Sequence, residues 1–140
     1  MKQAEIFIDG ASKGNPGPSG IGVTIKTTGG LTKEYSKYIG ETTNNVAEYS
    51  ALIFALEEAL ILHLNKIKVN TDSELLYRQI KGVYRVRSSS LLPYYKQAIR
   101  LIEGLSSFDI THINREYNKC ADKLATSAVK NKTNALGNSC

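Results

Sequence analysis

Four carboxylates stand where an ordinary surface acid would not. Asp9 closes the run Ala4-Glu5-Ile6-Phe7-Ile8. There Ile6 and Ile8 point to one face of a strand and Phe7 to the other, so both faces read as buried. Asp72 closes a second such run, residues 66–72, with Ile67, Val69 and Thr71 on one face and Asn70 and Asp72 on the other. Glu48 edges the packed stripe of a helix, and Asp122 shares a helix face with Ala121, Ala125 and Val129. Taken singly, these acids have ordinary explanations: Asp9 opens the turn Asp9-Gly10-Ala11-Ser12, and Glu48 complements a helix dipole. Taken together they suggest a site. The two strands, linked through a long helix, are expected as parallel neighbours, and sites in open α/β sheets form beyond strand C-termini. Four acids converging there repel one another unless divalent cations bind them. Oxygen-only ligands without a His or Cys cluster select Mg2+ or Mn2+ over zinc. Two such ions, about 4 Å apart, would activate a water and stabilise the leaving oxygen of a phosphodiester.

The elements that must position these acids can be read in order. After Asp9 comes the loop Ser12-Lys13-Gly14-Asn15-Pro16-Gly17-Pro18-Ser19-Gly20, rich in glycine and proline and carrying a base and an amide. Residues 21–26 and 33–39 flank Thr27-Thr28-Gly29-Gly30-Leu31 and predict an antiparallel hairpin, so the first three strands form a meander. Thr43-Asn44-Asn45 offers N-cap residues to a helix running to about residue 63, with Val46, Tyr49, Ile53, Leu56, Leu60 and Leu64 at three- and four-residue steps. A short helix is expected over 74–81, a break over 82–90, a helix over 91–104 and a strand over 108–113. Asn118 is placed to cap a last helix reaching about residue 130. The domain is expected over 1–130, and 131–140 reads as a polar, loose tail.

Composition bounds the rest. The 140 residues suit one domain with a real core, and 41% hydrophobic with 22% charged residues is the balance of a soluble globule. No apolar run approaches the roughly 20 residues of a membrane helix, and no signal-peptide pattern opens the chain, so a cytoplasmic protein without membrane partners is expected. Cys120 and Cys140 have no metal-ligand spacing, and both are read as reduced thiols, with a bond to the tail left open. A net charge of +5 favours a polyanionic partner. From Leu75 to Ile102 six bases (Arg78, Lys81, Arg85, Arg87, Lys96, Arg100) occur with no acid, interleaved with Tyr77, Tyr84, Tyr94 and Tyr95. A solvated face is the plain explanation, and contact with phosphates the functional one.

The chain resembles the type 1 ribonuclease H family. The resemblance lies in Ile8-Asp9-Gly10-Ala11-Ser12 with Gly14-Asn15-Pro16-Gly17, in Thr42-Thr43-Asn44-Asn45-Val46-Ala47-Glu48, in Thr71-Asp72-Ser73, and in Asn118-Lys119-Cys120-Ala121-Asp122-Lys123-Leu124-Ala125. These motifs occur in order between Lys2 and Val129. The resemblance implies an α/β, ribonuclease H-like fold with a five-stranded mixed sheet in the order 3-2-1-4-5. It also implies Mg2+-dependent hydrolysis of the RNA strand of RNA/DNA hybrids, leaving 5′-phosphate and 3′-hydroxyl ends. Asp9, Glu48, Asp72 and Asp122 fall on the family's four metal-binding acids, which are catalytic there. Asn15, Thr43, Asn44 and Asn45 match positions that touch the hybrid.

Three departures accompany the match. Asn114-Arg115-Glu116-Tyr117 replaces the glycine- and histidine-containing loop of longer members, and His112, lying in the strand, is not assigned that histidine's role. Residues 82–90 replace the basic protrusion of some members. Glu74 stands where several relatives place a Gln that contacts RNA. A monomer acting alone is expected, with no separate hybrid-binding domain before the first strand and with Glu74, Arg85 and Arg87 among the nucleic-acid contacts. Two other readings stay open: a nuclease of the same fold acting on double-stranded RNA or branched DNA, and a non-catalytic hybrid-binding module.

Overall fold

Alternation on β1 (Gln3–Ser12) organises the molecule. Ile6 and Ile8 bury against one layer, while Phe7 and Asp9 face the other. The structure is a computed structural model and describes residues 3–132 and 134–136. β2 (Gly17–Thr27) and β3 (Thr32–Thr42) follow β1 as an antiparallel meander. α1 (Asn44–Ile61) then crosses to β4 (Lys66–Thr71), which runs parallel to β1. After α2 (Glu74–Ile80) and α3 (Leu92–Glu103), β5 (Ser107–His112) adds in parallel beside β4. A 3-10 turn (Arg115–Tyr117) leads into α4 (Lys119–Asn131). The five expected strands stand in the expected order, β3-β2-β1-β4-β5.

Two differences concern the C-terminus. Residues 134–136 form a sixth strand, β6 (Asn134–Leu136), antiparallel to β3, where a loose tail was expected. Polar composition hid it, because the open edge of β3 supplies backbone partners to any extended segment, whatever its side chains. Cys120 is disulfide-bonded, which corrects its reading as a reduced thiol, and Cys140 lies outside the described residues. A third difference lies in α1. Its stripe was expected to include Leu60, which is 66% exposed, while Ala59 is buried instead. Among the described residues no helix is long and apolar enough to cross a membrane.

Helices cover both faces of the sheet. α1 packs on the face of Ile6, Ile8, Ile21, Val23 and Ile25, with α3 behind it. α4 packs on the other, over β1, β2 and β3. Gly22 sets how closely α4 approaches, since a Cβ there would lie 2.1 Å from the Ala121 carbonyl oxygen and 2.7 Å from the Ala125 nitrogen. Gly10 does the same for α1, where a Cβ would meet the Ala47 carbonyl carbon at 2.4 Å. These contacts are backbone to backbone, so neither can be relieved by a rotamer change. Gly22→Ala is therefore expected to lower unfolding free energy by about 3 kcal/mol, the upper part of the overpacking range. Gly29→Ala, whose nearest neighbour would be 4.0 Å away, should stay within about 0.5 kcal/mol of the parent. Urea unfolding of the two variants checks this, and equal midpoints would contradict it.

Candidate active site

The parallel register of β1 and β4 brings two of the acids together. Ile8 pairs with Thr71, so the next residues, Asp9 within β1 and Asp72 just past the end of β4, lie side by side. Glu48 lies one turn inside α1, beyond the first-turn position where an acid merely complements the helix dipole. Its Oε1 accepts the Gly10 N–H at 3.0 Å, a bond made possible by the close approach of α1 to Gly10. As a result, carboxylate oxygens of Asp9, Glu48 and Asp72 all lie within 4.8 Å of one another. Asp122 occupies the first turn of α4, its side chain 37% exposed at the mouth of the same cleft, 3.8 Å from Arg115 Nη2. Three of the four expected acids thus form a cluster, and the fourth stands beside it. The cleft measures about 430 Å3 and also receives Asn44, Ser73 and Arg115.

Burial and repulsion show in the acidities. Burial, then the charges of Glu48 and Asp72, then the Asp122 carboxyl push Asp9 up to about 9. Burial and Asp72 push Glu48 up to about 8, against the opposing pull of the Gly10 N–H and Arg115. Such a cluster of hard oxygen donors fits a divalent cation, which would replace the missing water and offset the repulsion.

The expected nucleic-acid contacts are distributed around this cleft. Asn15 Oδ1 accepts the Asn44 N–H at 3.0 Å, pinning the glycine loop to the start of α1. Thr43 caps α1, its Oγ1 accepting the Val46 N–H. Those two bonds occupy amides that would otherwise be open to a phosphate. Asn44 lines the cleft, and Asn45 is exposed next to it. Glu74 is exposed and holds Arg78 at 2.8 Å, one turn along α2, away from the cleft lining. Arg85 and Arg87 are exposed in the segment between α2 and α3, also off the lining. His112 is exposed and stacks on Tyr77, with ring centroids 5.9 Å apart.

Asn118 occupies the expected N-cap position of α4, yet its side chain makes no capping bond. The amide turns inward instead, Nδ2 donating to the Ile8 carbonyl at 2.9 Å and to Asp72 Oδ2 at 3.2 Å. The available signal was the four-residue spacing from Asn118 to Asp122, which puts an amide and an acid on one helix face. Arg115, which the sequence offers only as part of the segment replacing the family's histidine-containing loop, lines the cleft mouth beside Asp122.

With this geometry in view, comparisons with known proteins are specific. A family model described as "Reverse transcriptase-like" matches residues 7–128. Ribonuclease HI of Halobacterium salinarum is 40% identical over 128 residues, covering 91% of this chain and 64% of that protein. Ribonuclease H of Erythrobacter litoralis is 34% identical over 142 residues, covering 91% of this chain and 96% of that protein. Among solved structures, LC11-RNase H1 in complex with an RNA/DNA hybrid superposes with a TM-score of 0.85 at 41% identity, covering 92% of this chain and 98% of that one. Fold and site define a ribonuclease H-like protein with a cluster of acids that could hold a metal ion. The chain belongs to the type 1 ribonuclease H family. It spans 64% of the halobacterial relative's length and 35% of a bifunctional Mycobacterium tuberculosis relative's.

The raised acidities predict a pH dependence for the metal-free protein. Both carboxyls titrate above their unfolded range of about 4, so the folded state holds protons that the unfolded chain releases. The favourable contribution is then fully present below about pH 4 and is lost as pH rises through about 8 to 9. Asp9→Asn removes the group with the higher of the two values. In EDTA its melting temperature should match wild type near pH 4 and exceed it by about 4 °C or more near pH 9. Calorimetric scans across that range check this, and a wild-type advantage that grows with pH would contradict it.

Proposed function

We propose that this chain is a metal-dependent endonuclease that hydrolyses the RNA strand of RNA/DNA hybrids and leaves 5′-phosphate and 3′-hydroxyl ends. The observation that carries the reading is the convergence of the Asp9, Glu48 and Asp72 carboxylates within 4.8 Å in an open cleft. Two divalent ions, Mg2+ or Mn2+, held by these three and Asp122, would supply Lewis acidity that lowers the pKa of a water and stabilises the departing oxygen. The chain's own residues do the remaining work. Gly10 N–H fixes the Glu48 carboxylate, and Arg115 holds Asp122 at the cleft mouth while offering a cation to a phosphate.

Substrate choice needs groups that read sugar, since phosphodiester hydrolysis at a metal centre does not by itself tell RNA from DNA. The 2′-hydroxyl both donates and accepts, and side-chain amides can meet both roles. We assign this role to Asn44, which lines the cleft, and to the exposed Asn45 that follows it. Asn15 has its carbonyl occupied by Asn44 N–H and keeps its two Nδ2 donors for a ligand. The hybrid held by LC11-RNase H1, a protein 41% identical, supports this substrate class. The exposed Arg85 and Arg87 are assigned to phosphates flanking the cut. Each replacement by Ala should flatten the salt dependence of binding by roughly one in log-log slope.

The deciding substrate is a DNA duplex containing four consecutive ribonucleotides in one strand, incubated with Mg2+, Mn2+ or EDTA. Cleavage is expected within the ribonucleotide run, only with metal, and Asp9→Asn or Asp72→Asn should lower it by about a thousandfold or more. Cuts in the flanking DNA, or near-normal turnover in either variant, would overturn the assignment.

A further inference from the structure

We propose that Asn118 is a positioning residue for the divalent-ion site, its side-chain amide holding the Asp72 carboxylate in the direction that meets Asp9 and Glu48. The inference rests on the reading of these acids as metal ligands. Asn118 is 1% exposed and touches three of the segments that carry the acids. Its Nδ2 donates to the carbonyl of Ile8, the residue before Asp9, and to Asp72 Oδ2. Its own carbonyl accepts the N–H of Asp122 at 3.0 Å. One buried side chain and its backbone thus link the ends of β1 and β4 to the first turn of α4.

The direction of the amide is fixed by chemistry. The Ile8 backbone carbonyl can only accept a hydrogen bond, so the NH2 edge must face it, and the same edge donates to Asp72 Oδ2. Oδ1 is left buried with no partner among the described residues. Helix capping would use that oxygen, as it is used at the starts of α1 and α2. There Thr43 Oγ1 accepts the Val46 N–H and Ser73 Oγ accepts the Leu76 N–H. At α4 the capping bond is absent and the donors are turned to the acid cluster instead. Carboxylates that bind metals are themselves oriented by hydrogen bonds from a surrounding layer, and loss of such a partner commonly lowers metal affinity or activity 10–100-fold. Asn118 has the burial, donor chemistry and contacts of that layer.

The test is calorimetric titration of Mn2+ into substrate-free protein, wild type against Asn118→Ala, well below both melting temperatures. Affinity is expected to fall about 10–100-fold in the variant. An unchanged isotherm with only a lowered melting temperature would overturn the inference and leave Asn118 a packing residue. Wild-type protein that binds no Mn2+ would overturn the metal-site reading itself, and the inference with it. A second measurement needs no variant: the Asn118 side-chain NH2 resonances of 15N-labelled wild type should shift as Mg2+ is added. Those of Gln79, buried and bonded to the Tyr49 hydroxyl, should stay in place. Asn118 signals indifferent to a saturating ion would also overturn the proposal.

Discussion

Carboxylate oxygens of Asp9, Glu48 and Asp72 within 4.8 Å of one another repel, and the burial of Asp9 and Glu48 removes much of the water that would screen them. An isolated chain segment would relieve this by turning one acid outward. Here the turn is blocked from several sides. β1 and β4 are locked in parallel register, so Asp9 and Asp72 cannot slide apart without breaking the ladder from Gln3 to Ile8. Glu48 is held by the Gly10 N–H, and Asp72 by Asn118. The remaining outlet is to keep protons, and the acidities of Asp9 and Glu48 move that way. The fold therefore stores a demand for positive charge at one place.

The two close approaches of helix to sheet serve the same end from opposite faces. At Gly10 the backbone of α1 replaces a side chain, which lets Glu48 reach the strand carrying Asp9. At Gly22, paired with Asp9 across β1 and β2, the backbone of α4 does likewise, and this sets Asp122 at the cleft mouth. A side chain at either glycine would hold its helix away and move an acid with it. Packing that elsewhere would serve stability alone here also sets the spacing of charges.

The cluster was legible in the sequence because its parts obey short-range rules. A strand with two apolar faces must be central, and the crossover through α1 returns β4 parallel beside β1, so Asp9 on one and Asp72 just past the other meet. Other features were hidden by degeneracy. An Asn before a helix looks identical whether its side chain caps or turns inward, and Asn118 turned inward because Ile8 and Asp72 offered it two acceptors. Leu60 continues the apolar spacing of α1 and yet is exposed, since the core there is met by Ala59. The β6 strand depended on an open edge that local sequence does not reveal.

The central claim is that the acids are held together against their own repulsion until a cation replaces the protons they retain. Mg2+ titration calorimetry at pH 7, repeated in buffers of different ionisation enthalpy, measures the protons released on binding. Displacement of the protons held by Asp9 and Glu48 predicts a release of about one to two per site. That release should shrink as the pH is raised through about 8 and 9. Binding with no proton release at pH 7 would show that the acids were already ionised together, and would contradict the account.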